Sequence, residues 1–178
     1  IAGNQASSAG GIFVGPDGTT LQMTNVTLAE NTALSGLAGG IAISSGVTGE
    51  IRNATIARNA APGAVAFAGA STGGSQVTLR NTIVADSVAG NSYNPISCLS
   101  AFVEGGGNLQ WPVARAGGGS DVPGALCSAS IAVTDEQLGA LQNNGGTPLT
   151  IQPAANSPAI SAGAGCPVMD QRGLARPA

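Results

Sequence analysis

Met23-Thr24-Asn25-Val26-Thr27-Leu28-Ala29-Glu30-Asn31 returns twenty-eight residues later as Ile51-Arg52-Asn53-Ala54-Thr55-Ile56-Ala57-Arg58-Asn59. It returns after the same interval as Leu79-Arg80-Asn81-Thr82-Ile83-Val84-Ala85-Asp86-Ser87. Asparagines 25, 53 and 81 form one column, and Leu28, Ile56 and Val84 another. A fixed period without slippage is the mark of a repeat architecture whose units cannot bury their apolar side alone. Stacking the units about 4.8 Å apart pairs each strand with its own copy and makes the pairing parallel. The expected fold is therefore all-β, a parallel β-solenoid with coils of about twenty-eight residues. Met23, Ile51 and Leu79 stack in its core, as do Leu28, Ile56 and Val84.

A second strand-like piece recurs outside the nonapeptide. Ala9-Gly10-Gly11-Ile12-Phe13-Val14 reappears as Ala38-Gly39-Gly40-Ile41-Ala42-Ile43, and more loosely as Pro62-Gly63-Ala64-Val65-Ala66-Phe67. The distance between the two kinds of piece varies while the full turn does not, as expected of loops bulging from a coil.

Composition agrees with short strands. The chain has 178 residues and 28 Gly, and alanine is the commonest of its 43% apolar residues, with only 3% aromatics. Frequent turn residues between short Val- and Ile-containing runs favour strands over helices. Only 8% of residues are charged, against about a quarter in an ordinary domain, and the net charge is −3. Six basic residues make no stripe for a nucleic-acid partner. Histidine is absent, which removes the commonest general base and metal ligand, and no cofactor or metal is expected. No apolar run approaches the length of a transmembrane segment. Because the sequence opens at Ile1 without a leader, a secretion signal is expected to have been removed or to lie outside this segment.

Each column has a structural and a functional reading. Asn25, Asn53 and Asn81 suit tight bends with left-handed backbone, and stacked amides can bond along the axis. The sequons Asn25-Val26-Thr27 and Asn53-Ala54-Thr55 are the competing reading. Glu30, Arg58 and Asp86 stack as acid, base, acid. This is an alternating charge ladder or, functionally, two carboxylates flanking an arginine as in a polysaccharide lyase or hydrolase, with Asp17 or Arg80 assisting. Arg52 and Arg80 form a like-charged stack offset by Glu50. Thr27 and Thr55 begin a threonine file of the sort an ice-binding face needs, but Ile83 interrupts it.

After Val88 the period is expected to end. A loop over 89–95 and the glycine runs at 105–107 and 117–119 mark 98 to 130 as irregular, with Asn108-Leu109-Gln110-Trp111 as one further strand. This divides the chain into coils at 1–97 and an irregular final coil with a C-terminal capping segment at 98–178. Of the three cysteines, Cys98 and Cys127 are read as a disulfide fastening this segment, with Cys166 free or paired elsewhere. Three small buried thiols are the alternative. Trp111 is a candidate for stacking on a sugar or a hydrophobic plug. Thr134-Asp135-Glu136-Gln137 reads as a capping box opening a short helix through Leu138 and Leu141, stopped by Asn143-Asn144-Gly145-Gly146.

The last third resembles a known family. Leu138-Gly139-Ala140-Leu141-Gln142-Asn143-Asn144-Gly145-Gly146-Thr147-Pro148, Asn156-Ser157-Pro158-Ala159-Ile160-Ser161-Ala162-Gly163, and Asp170-Gln171-Arg172-Gly173-Leu174-Ala175-Arg176-Pro177 resemble the closing segment of "choice-of-anchor Q" bacterial surface proteins. The upstream repeats resemble the right-handed parallel β-helix that precedes that segment, and the resemblance implies secretion or cell-surface localisation and a pectate-lyase-like superhelix, without an established activity or catalytic set. Asp170 with Arg172 or Arg176 is expected to tie down the last coil, and prolines 148, 153, 158, 167 and 177 to block a further strand. These features favour a non-enzymatic extracellular protein, structural or adhesive. Its expected partners are a surface glycan or further copies of itself, joined through an N-terminal coil that has no comparable cap.

Overall fold

In a computed structural model, the described residues are 1–16, 18–36, 38–61, 76–89, 97–111 and 126–176. Asp17, the loose third copy at 62–67, the loop over 90–95 and the glycine run at 117–119 lie outside them. The strands in chain order begin with β1 (Gln5–Ala6), β2 (Ile12–Val14), β3 (Thr20–Thr24), β4 (Thr27–Ala29), β5 (Thr32–Ala33) and β6 (Ile41–Ile43). They continue with β7 (Thr48–Arg52), β8 (Thr55–Ala57), β9 (Ala60–Ala61), β10 (Gln76–Arg80), β11 (Ile83–Ala85) and β12 (Val88–Ala89). The last are β13 (Val103–Glu104), β14 (Leu109–Trp111), β15 (Ala132–Val133), β16 (Leu138–Gln142) and β17 (Thr150–Pro153).

The repeat sets the register. Met23 pairs with Ile51 and Ile51 with Leu79 across β3, β7 and β10, and Leu28, Ile56 and Val84 line up across β4, β8 and β11, all in parallel. β1, β5, β9 and β12 form a third parallel sheet, and β2 with β6 a further parallel pair. The molecule is thus all-β with stacked parallel sheets, an arrangement consistent with a β-solenoid. Among the described residues there is no helix, and so none long and apolar enough to cross a membrane.

The columns continue past Val88, where the sequence period fades. Val103 and Glu104 pair with Thr78 and Leu79, Leu109–Trp111 with Ile83–Ala85, and Ala132–Val133 with Leu109–Gln110. The strands persist because only the connections change length. A sequence comparison at fixed offset loses them.

Alternation within each strand builds two separate apolar layers. Leu28, Ile56 and Val84 join Met23, Ile41, Ile43, Ile51, Val77 and Leu79 in the main core. Their neighbours Ala29, Ala57 and Ala85 point the other way and pack against Ile151, Leu138 and Leu141. The Ala-Gly-Gly signature is steric: a Cβ on Gly39 would stand 2.3 Å from the backbone oxygen of Ala60, so only glycine fits where these segments meet. Cys98 and Cys127 are bonded and lie in the main core.

One expected element is replaced. The short C-terminal helix does not form; Leu138–Gln142 instead pairs antiparallel with Thr150–Pro153. Asp135 accepts the Gln137 N–H two residues on, at 2.8 Å, and Gln137 takes a left-handed φ of 50°, which ends any helical turn at its start. A register irregularity between Leu138 and Leu141 lets leucines three apart, a helical spacing, face one side of a strand. The supposed helix stop is the hairpin turn, in which Asn143 Oδ1 accepts from Gly145 and Gly146, and Asn144 Nδ2 donates to the Thr150 carbonyl.

Candidate functional site

Two corner columns share one backbone state. Asn25, Asn53 and Asn81 have φ of 55, 51 and 47°, and Glu30, Arg58 and Asp86 have φ of 57, 55 and 49°. Left-handed backbone costs a residue with a Cβ about 1–2 kcal/mol, and asparagine bears it most readily. The charged column is therefore a row of bends, whose N–H groups donate to Ala57, Ala85 and Trp111 carbonyls in the next repeat.

The three charges do not form a continuous ladder. Arg58 Nε lies 3.4 Å from Asp86 Oδ2, while Glu30 has no ion-pair partner among the described residues. Arg58 also turns its Nη2 to the carbonyls of Gly139 at 2.8 Å and Leu138 at 3.2 Å, clamping strand β16 onto the alanine column. In the neighbouring stack Arg80 pairs with Glu50 at 3.1 Å, and Arg52 donates to the Gly165 carbonyl.

The corner asparagines bond not to each other but to the C-terminal segment. Asn81 exchanges two hydrogen bonds with the backbone of Ala164, Asn53 Nδ2 donates to Cys166 Sγ at 3.1 Å, and Asn25 Nδ2 donates to the Met169 carbonyl. Thr27 donates its hydroxyl to Gln171 at 2.7 Å, and Arg176 reaches Asn25 Oδ1. Residues 164–176 thus form a strap running back along the stack from the third nonapeptide to the first. This places the expected clasp differently. Asp170 and Arg172 are paired at 2.6 Å, but Arg172 also holds the Asn144 carbonyl in the β16–β17 turn, and Arg176 holds the first repeat rather than the last. Burial pushes the Asp170 carboxyl up, but hydrogen bonds from the Arg172 side chain and from the Arg172 and Leu174 amides, with the Arg172 charge, hold it below its usual range.

The amide ladder itself runs one position beyond the charges. Asn4 Nδ2 donates to Asn31 Oδ1 at 2.9 Å, Asn31 Nδ2 to Asn59 Oδ1 at 3.0 Å, and Asn59 Nδ2 to the Leu28 carbonyl at 2.9 Å. Asn31 and Asn59 are wholly buried. Both stand in the repeated nonapeptide, so their recurrence was the available signal. A second unforeseen centre is Glu104, whose carboxylate accepts from Gly106, Asn108, Ser128 and Ser130. Burial raises its pKa, and these four donors more than offset it and bring it below the ordinary value.

Trp111 closes the file of Ala29, Ala57 and Ala85 and is 38% exposed. Cys166 is free and half-buried. Glu136, expected as a helix-capping charge, is 1% exposed with Oε1 lacking a hydrogen-bond partner. Burial pushes its carboxyl up to about 8; its own backbone N–H opposes the rise, and the charges of Asp86 and Asp135 add to it. Among the described residues no group of three or more acidic or cysteine side chains is arranged to hold a metal ion. No protein-family model, no characterised protein and no solved structure matches the chain.

Proposed function

We propose that the chain is a non-enzymatic extracellular or cell-surface protein, structural or adhesive. Its fold is a right-handed parallel β-helix of the kind that its choice-of-anchor Q-like C-terminal blocks suggest. The observation that carries this reading is the commitment of Arg58. In a lyase the arginine beside two carboxylates must be free to meet substrate; here its donors serve Asp86 and the carbonyls of Leu138 and Gly139. The Cys98–Cys127 disulfide suits an oxidising compartment. The Thr27 hydroxyl is taken by Gln171, which counts against a threonine ice-binding face. Half-exposed Trp111 at the end of the alanine file offers a surface glycan a stacking plane.

Incubation with a panel of acidic and neutral polysaccharides, with and without calcium, is expected to release no product. Release of unsaturated or hydrolysed oligosaccharides by the wild type but not by Arg58→Ala would overturn the proposal in favour of a lyase or hydrolase.

A further inference from the structure

The root of the β16–β17 hairpin carries a carboxyl group in an unusual position. Glu136 is 1% exposed, its Oε1 has no partner, and its carbonyl accepts the Ser157 hydroxyl at 2.5 Å, so it is enclosed where the chain enters and leaves the hairpin. Among the described residues the charged groups acting on it are both acidic: Asp86, at the bend after β11, and Asp135 beside it in the chain. The cations of this region among the described residues are otherwise engaged. Arg58 is held by Asp86 and the β16 carbonyls, and Arg172 by Asp170 and the Asn144 carbonyl. The hairpin rests on a thin apolar seam of Ile151, Leu138 and Leu141 over three alanines. Among the described residues, an ionised carboxylate enclosed there finds neither a donor nor a counter-charge for its free oxygen.

We propose that the hairpin β16–β17 is a pH-sensitive latch, held on the alanine face while Glu136 keeps its proton and released more readily as solvent takes that proton away. The direction follows from linkage. The docked carboxyl keeps its proton up to about 8, and the released one loses it above its ordinary value of 4.5. Between those limits the docked state binds one proton more than the released state, so docking weakens as pH rises; above about 8 both states are ionised and the dependence ends.

Hydrogen exchange of peptides spanning 138–153, corrected for intrinsic rates, tests this between pH 5 and 9. The opening constant of the hairpin in the wild type is expected to rise roughly tenfold per pH unit up to about pH 8 and then level off. In Glu136→Gln it is expected to stay flat over the same range. A flat wild-type profile, or a Glu136→Gln profile that follows the wild type, overturns the latch. Should Glu136→Gln fail to fold, the carboxyl carbon resonance of Glu136 in the wild type decides. A titration midpoint above 7 supports the proposal and one below 5 refutes it.

Discussion

Asparagine performs two different tasks in this chain, and substitutions separate them. Asn59 is buried, receives two donors from Asn31 and returns one to the Leu28 carbonyl, so truncating it strands several buried polar groups at once. Asn59→Ala is expected to cost about 2–4 kcal/mol. Asn53→Ala, at a half-exposed bend with a weak sulfur acceptor, is expected to cost about 1 kcal/mol, chiefly through the left-handed backbone. Urea denaturation of both variants checks the order, and equal losses would contradict it. The bend at Asn25, Asn53 and Asn81 was legible because asparagine is the side chain that advertises that backbone. The equivalent bend at Glu30, Arg58 and Asp86 was not, since no propensity marks glutamate or arginine for it. Their charges invited an electrostatic reading while their backbones did the work. What the corner amides bond to was illegible too, because those partners lie more than eighty residues away along the chain.

At the level of elements, local and tertiary preferences conflict over 134–142. The capping-box pattern, the acidic first turn and leucines three apart all agree on a helix, yet an isolated helix this short is marginal in water. A hairpin there covers the alanine column, whose apolar side would otherwise face solvent. The recurrence of alanine at 29, 57 and 85, immediately beside the large core residues, marks a second contact surface. The small side chain is what admits the hairpin. Ala57→Leu, at a position with no exposure, is therefore expected to lift the hairpin off its seat. Overpacking of this kind costs about 1–3 kcal/mol, which corresponds to a roughly fivefold to hundredfold loss of exchange protection over 138–153. The amides of β7 and β8 should keep theirs, because Ile56 faces the opposite layer. Equal loss in both regions would mean that the hairpin and the coils are one cooperative unit.

Across the whole molecule the question is what couples repeats that touch only their neighbours. In a stacked array each repeat is stabilised by its own core and by the interfaces above and below, so terminal repeats open first. Here β3 and β4 are the outermost strands of their sheets at one end of the stack, and Ile1 to Gly3 bond beside β4, to Thr27, Ala29 and the Asn31 side chain. The strap at 164–176 adds long-range fastening to that end. Arg176 and Met169 hold Asn25, and Gln171 holds Thr27, while Ala164 and Cys166 hold Asn81 and Asn53. A chain ended after Ser161 keeps the β16–β17 hairpin and the disulfide but loses every one of these bonds. In it, exchange of 20–33 is expected to accelerate by roughly tenfold to a hundredfold, as local opening grows easier by about 1.5–3 kcal/mol for several partly exposed hydrogen bonds. Amides of β10 and β11, deeper in the stack, should change less, and urea unfolding should broaden as the first repeat departs before the rest. If protection over 20–33 stays at its wild-type level, the strap follows the asparagine corner without stabilising it, and nearest-neighbour packing alone holds the first repeat in place.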